Sequence, residues 1–133
     1  FRDAFPAHSL FLVNYRGYGG STGKPSEPAL RADALAIYDH VRREHADVTA
    51  MGRSLGSGVA VQLASGIRAP VLIVVAGEDE IIPRSRSAAL AAAFAPGQAR
   101  VVVVPGAMHN TLDASPGYLR AVRAFLQQPP GAN

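Results

Sequence analysis

The apolar positions of the chain fall into two alternating patterns. Residues 9–15 (SLFLVNY), 70–77 (PVLIVVAG) and 99–106 (ARVVVVPG) are almost continuously apolar, and a shorter run lies at 47–52 (DVTAMG). They predict buried strands at 9–15, 70–77 and 99–106, the β-branched run 70–77 being of the kind buried on both faces, and a short strand at 47–52. Between them the apolar residues recur every three or four positions. Over 28–45, Ala34, Ile37, Tyr38 and Val41 form one helical stripe, with Pro28 in the first turn. Over 55–65, Val59 and Leu63 share a side. Residues 85–94 predict a short helix ended by Pro96 and Gly97, and 115–127 a last one. There Ser115 can cap the helix, Pro116 takes the first position, and Tyr118, Leu119, Val122, Phe125 and Leu126 form the stripe.

The order is strand then helix, four times over. It predicts an α/β fold, a parallel sheet flanked by helices in three layers. In such sheets the reactive groups gather beyond the carboxyl ends of the strands. The loops to search are therefore 16–27, 52–55, 77–84 and 105–114.

The length of 133 residues suits a single domain spanning 1–133, and a hydrophobic content of 48% supplies a core. There is no cysteine, which excludes disulfides, thiolate metal sites and a cysteine nucleophile, and suits a reducing cytoplasm. The net charge of +3 is scattered, with Lys24 the lone lysine, so no nucleic-acid partner is expected. No apolar run reaches the ~20 residues of a membrane span, and no signal peptide is visible. The chain opens on Phe1, not methionine, so an upstream segment is expected. The arginine- and alanine-rich composition suggests a GC-rich bacterial genome.

Within those loops, Gly52-Arg53-Ser54-Leu55-Gly56 stands between a strand and a helix. A turn this tight tolerates only glycine at its flanks, lifts the Ser54 hydroxyl above the sheet and aims the Leu55 N–H at a developing oxyanion. A serine nucleophile needs a base, and the base an orienting acid. The next predicted strand is followed by Glu78, Asp79 and Glu80, and the one after by His109. Serine, acid and histidine thus fall on successive strand ends, with the acid open among three neighbours. His8, His40 and His45 have no such context, and Ser57 is expected to pack helix-ward. The stretch GGSTGK resembles a phosphate-binding loop, but Tyr18 replaces its first glycine and Pro25 its metal-holding hydroxyl. The dinucleotide pattern fails at Thr22.

Together GRSLGSG, GEDEIIP, GAMHN and NYRGYGGSTGKPSE resemble the α/β-hydrolase superfamily, and within it the Bem46-like serine hydrolases. The resemblance covers nearly the whole chain. It implies Asp79 as the acid, four residues before Pro83, with Glu78 and Glu80 as exposed neighbours. It implies His109 as the base in a G-x-x-H-N turn, and no cofactor. It also implies more strands than four. An upstream loop supplying a second oxyanion N–H is missing, as is a strand and lid segment expected near residues 65–67. The expected reaction is cleavage of a small-molecule carboxylic ester or thioester, with Ser54, His109 and Asp79 as triad and no metal. Amide hydrolysis, acyl transfer and an inactive hydrolase-like scaffold are the alternatives. Substrate and oligomeric state are not legible.

Overall fold

The computed structural model describes residues 2–127. The chain divides after Ile67 into two compact units. The division falls beside residues 65–67, and Arg68, the first residue past it, holds a left-handed φ of 53°.

The first unit contains two helices, α1 (Glu27–Arg42) and α2 (Leu55–Ile67), after a single 3-10 turn at Arg2–Ala4. Helix α1 carries Pro28 in its first turn and buries Leu30 and Val41, with Ala34, Ile37 and Tyr38 half-buried between them. It packs on α2, whose Leu63 is buried, and Gln62 Nε2 donates to Glu27 Oε1 at 2.7 Å across the pair. The loop before α1 is tied to it by a two-pronged ion pair. Arg16 Nε donates to Asp33 Oδ2 at 2.6 Å, and a second guanidinium nitrogen meets Oδ1. Those hydrogen bonds hold the Asp33 carboxyl below its ordinary range despite the water it loses.

The runs 9–15 and 47–52, expected as strands, carry no sheet ladder. The reason is pairing. An apolar run becomes a strand only against a hydrogen-bonded neighbour, and among the described residues Leu10, Phe11, Leu12 and Val13 form no backbone hydrogen bond. Their side chains stand out, Leu12 with 86% of its surface exposed. Phe11 finds one partner, the His45 ring, edge-on at 5.4 Å.

The second unit has the expected alternation. Strand β1 (Val71–Ala76) leads through α3 (Arg84–Ala92) to β2 (Ala99–Val104), then through a 3-10 turn at Leu112–Ala114 to α4 (Pro116–Leu126). The strands are parallel, in register from Val71 opposite Ala99 to Ala76 opposite Val104. Ala76, Val104 and Ala107 form the centre, with Val74 and Leu112 packed against it. Ser115 caps α4 as expected, its hydroxyl accepting from Tyr118 N at 3.2 Å. Strand β2 departs from expectation. Val101 and Val103 are 42% and 44% exposed, because a two-stranded sheet cannot cover both faces of a strand meant for a larger one.

Candidate active site

The carboxyl ends of β1 and β2 are zipped beyond the sheet itself. Gly77 N donates to Val104 O and Glu78 N to Ala107 O, each at 2.8 Å. The approach is so close that a Cβ on Gly77 would lie 2.7 Å from Val104 O. Arg84 reaches back to bond the Gly77 carbonyl. The loop after β1 is thereby fixed against the loop after β2.

Asp79 and His109 meet across this junction. His109 Nδ1 lies 3.1 Å from Asp79 Oδ2 and 3.2 Å from Oδ1. Both side chains are largely buried, at 13% and 9% exposure for His109 and Asp79. Asp79 Oδ1 also accepts the backbone N–H groups of Ile81 at 2.9 Å and Ile82 at 2.8 Å. This Asx turn is what the spacing to Pro83 encodes: the chain must fold back over the carboxylate before the proline starts α3. Desolvation works against the charge, but the hydrogen bonds from Ile82, Ile81 and His109 outweigh it, and the Asp79 carboxyl is held below its usual range. An ionised carboxylate facing Nδ1 favours the tautomer that places a proton there, the one in which Nε2 is an acceptor.

The turn bearing His109 is braced from within. Met108 N donates to Thr111 Oγ1 at 3.0 Å, and Thr111 N to Met108 O at 3.2 Å. Of the neighbouring acids, Glu78 and Glu80 are exposed as expected, but Glu80 is engaged: its Oε2 accepts the His109 backbone N–H at 3.2 Å. The sequence carried no signal for this bond beyond the adjacency of three acids. Thr111, two residues past the histidine, could have been found as a hydroxyl at a turn position.

Ser54 belongs to the first unit, where it begins the turn into α2. Its φ is +50°, a left-handed conformation costing a non-glycine residue about 1–2 kcal/mol. The turn is closed by Gly56 N to Arg53 O and Ser57 N to Ser54 O, each at 2.9 Å. Ser57 also donates its hydroxyl to Ser54 O at 2.5 Å, so it braces the turn. A Cβ on Gly52 would overlap the Gly56 carbonyl, and one on Gly56 would stand 3.0 Å from the Tyr15 hydroxyl. Gly52 is thus required by contact with backbone, while a side chain at Gly56 would press on Tyr15, an unforeseen neighbour. Leu55 opens α2, in the helical turn whose N–H groups lack intrahelical acceptors. In the glycine-rich loop, the N–H groups of Gly17, Tyr18 and Ser21 bond carbonyls of residues 15–22, within the loop or at its start. A phosphate cradle needs such groups pointing outward.

No protein-family model matches the chain. An uncharacterized protein of Mycobacterium tuberculosis is 32% identical, over 90% of this chain and 60% of its own length. The alpha/beta hydrolase domain-containing protein aho-3 of Caenorhabditis elegans is 25% identical, over 93% of this chain and 50% of its own. The chain thus spans about half to 60% of these relatives. The mycobacterial alignment runs to 170 residues while drawing on 90% of 133, about 120, so about 50 of the relative's positions have no counterpart here. A crystal structure described as a predicted CIB-like hydrolase from Thermoplasma acidophilum superposes with a TM-score of 0.64. It is 19% identical, over 85% of this chain and 69% of that one. Among the described residues no helix is long and apolar enough to cross a membrane. Parallel strands joined by helices, the hydrolase-named relatives and the structural match converge in supporting an α/β-hydrolase superfamily assignment, with part of that fold present.

Proposed function

We propose that this chain carries the acyl-transfer machinery of a Bem46-like serine hydrolase that cleaves small-molecule carboxylic esters or thioesters. The observation that carries the reading is the Asp79–His109 pair, with the carboxylate locked by the Ile81 and Ile82 N–H groups. An acid fixed in this way holds one imidazole tautomer and stabilises the imidazolium. The left-handed Ser54, at the start of a helix, supports its assignment as nucleophile.

In this reading Ser54 Oγ attacks the acyl carbon while His109 Nε2 takes its proton. The Leu55 N–H meets the oxyanion of the tetrahedral intermediate. Its collapse expels the alkoxide or thiolate, which takes the proton from the imidazolium. Water then attacks the acyl-enzyme with His109 again as base, releasing the carboxylic acid and restoring Ser54. Gly52 and Gly56 serve by keeping the turn tight. The reaction calls for no cofactor and no metal. We place the protein in the cytoplasm of a bacterium, and the relative's unmatched positions, with the lid, at residues 65–67.

One observation favours a second reading. With about 50 of the relative's positions lacking here, the chain can be a hydrolase-like scaffold without turnover. The two readings separate on a fluorophosphonate probe read by intact mass. One adduct on Ser54, lost in Ser54→Ala, together with hydrolysis of a short p-nitrophenyl ester, supports the enzyme. A folded protein with neither supports the scaffold.

A further inference from the structure

We infer that Glu80 is a positioning residue for His109. Backbone bonding between the two loops runs from Gly77 to Val104 and from Glu78 to Ala107. Past Glu78 the next two bridges come from side chains of successive residues, and both land on the histidine. Asp79 takes the ring at Nδ1, and Glu80 takes the main chain at N, at 3.2 Å. An imidazole held at its ring alone can swing with its backbone. Held at two points on either side of χ1, it has one orientation. The two carboxylates therefore divide the work: Asp79 sets tautomer and charge, and Glu80 sets where the ring sits. Misplacing a catalytic group by about 1 Å costs up to about 10²-fold in rate, which is what such a clamp prevents.

The labelling arm of the test rests on the serine-hydrolase reading, and the spectroscopic arm does not. Glu80→Ala removes the acceptor, whereas Glu80→Gln keeps a carbonyl oxygen in its place. In uniformly labelled protein, Glu80→Ala should speed amide exchange at His109 about tenfold or more and broaden its Nδ1 proton signal. Glu80→Gln should restore both. Fluorophosphonate labelling at Ser54 should slow about tenfold in Glu80→Ala and recover to within about threefold in Glu80→Gln. Unchanged His109 signals and rates in Glu80→Ala overturn the inference. So does a Glu80→Gln variant as impaired as Glu80→Ala, which would assign the effect to charge instead of the clamp. If the unmodified protein takes no label, the functional reading fails, and the His109 signals still decide the role of Glu80.

Discussion

The two units of the chain hold the same kind of sequence and treat it differently. In the second, residues 71–76 and 99–104 are matched apolar runs, and each supplies the neighbour the other needs. Ala76 and Val104 sink to 1% and 6% exposure as a result. In the first unit, Leu10, Phe11, Leu12 and Val13 are as apolar and as β-prone, yet no ladder forms and all four stand exposed. The difference lies not in the runs but in what accompanies them. Both units join their runs through a helix, α1 in the first and α3 in the second, so what the second adds is the hydrogen-bonded neighbour itself. Hydrophobic pattern states that a segment is meant to be buried; it does not provide the partner.

The sharpest way to test that contrast is at the chemistry each unit displays. Ser54→Ala in the first should abolish covalent labelling altogether, read by intact mass. Asp79→Asn in the second should leave the circular-dichroism spectrum unchanged and cut ester turnover by about 10⁴-fold. Full activity in either breaks the assignment. Next comes packing. Val104→Ala, at the centre of the second unit, should cost about 2 kcal/mol in denaturant unfolding. Leu12→Ser, at 86% exposure, should shift stability by no more than about 0.5 kcal/mol. Equal losses at the two positions would show that the exposed run is buried in solution.

Acid should also act on the second unit through Asp79. Its folded carboxyl titrates below its unfolded value, so ionisation favours the fold above the unfolded value of about 3.9. That contribution disappears as pH falls through the lower, folded value. Melting curves between pH 6 and 2, about neutral to strongly acid, should therefore flatten in Asp79→Asn relative to the unmodified chain. Parallel curves for the two proteins would remove Asp79 from the acid response.

What the sequence disclosed follows the same division. The strands at 71–76 and 99–104, all four helices and the Ser115 cap were legible because each is specified by nearby residues. That one acid of 78–80 would come near His109 was legible from the strand ends, which bring the loops together before any side chain is placed, whereas Asp79 was singled out only by the family resemblance. Glu80 was not. Its bond to the His109 N–H depends on the rotamer of one exposed glutamate, which no pattern of residue types encodes. Nor was the fate of residues 9–15 and 47–52, whose pairing depends on neighbours their own composition cannot name. Tyr15 beside Gly56 was hidden for a similar reason: the glycine signalled a close approach without saying to what.

The left-handed serine has an evolutionary corollary. At φ +50° glycine would relieve about 1 kcal/mol that Ser54 does not. Position 54 is thus one where stability and a hydroxyl pull in opposite directions. A lineage released from selection on catalysis would gain by drifting to glycine there, and each generation in which serine persists costs the fold something it need not bear. The identity of this single residue in close descendants is therefore a record of whether the hydroxyl has been under selection.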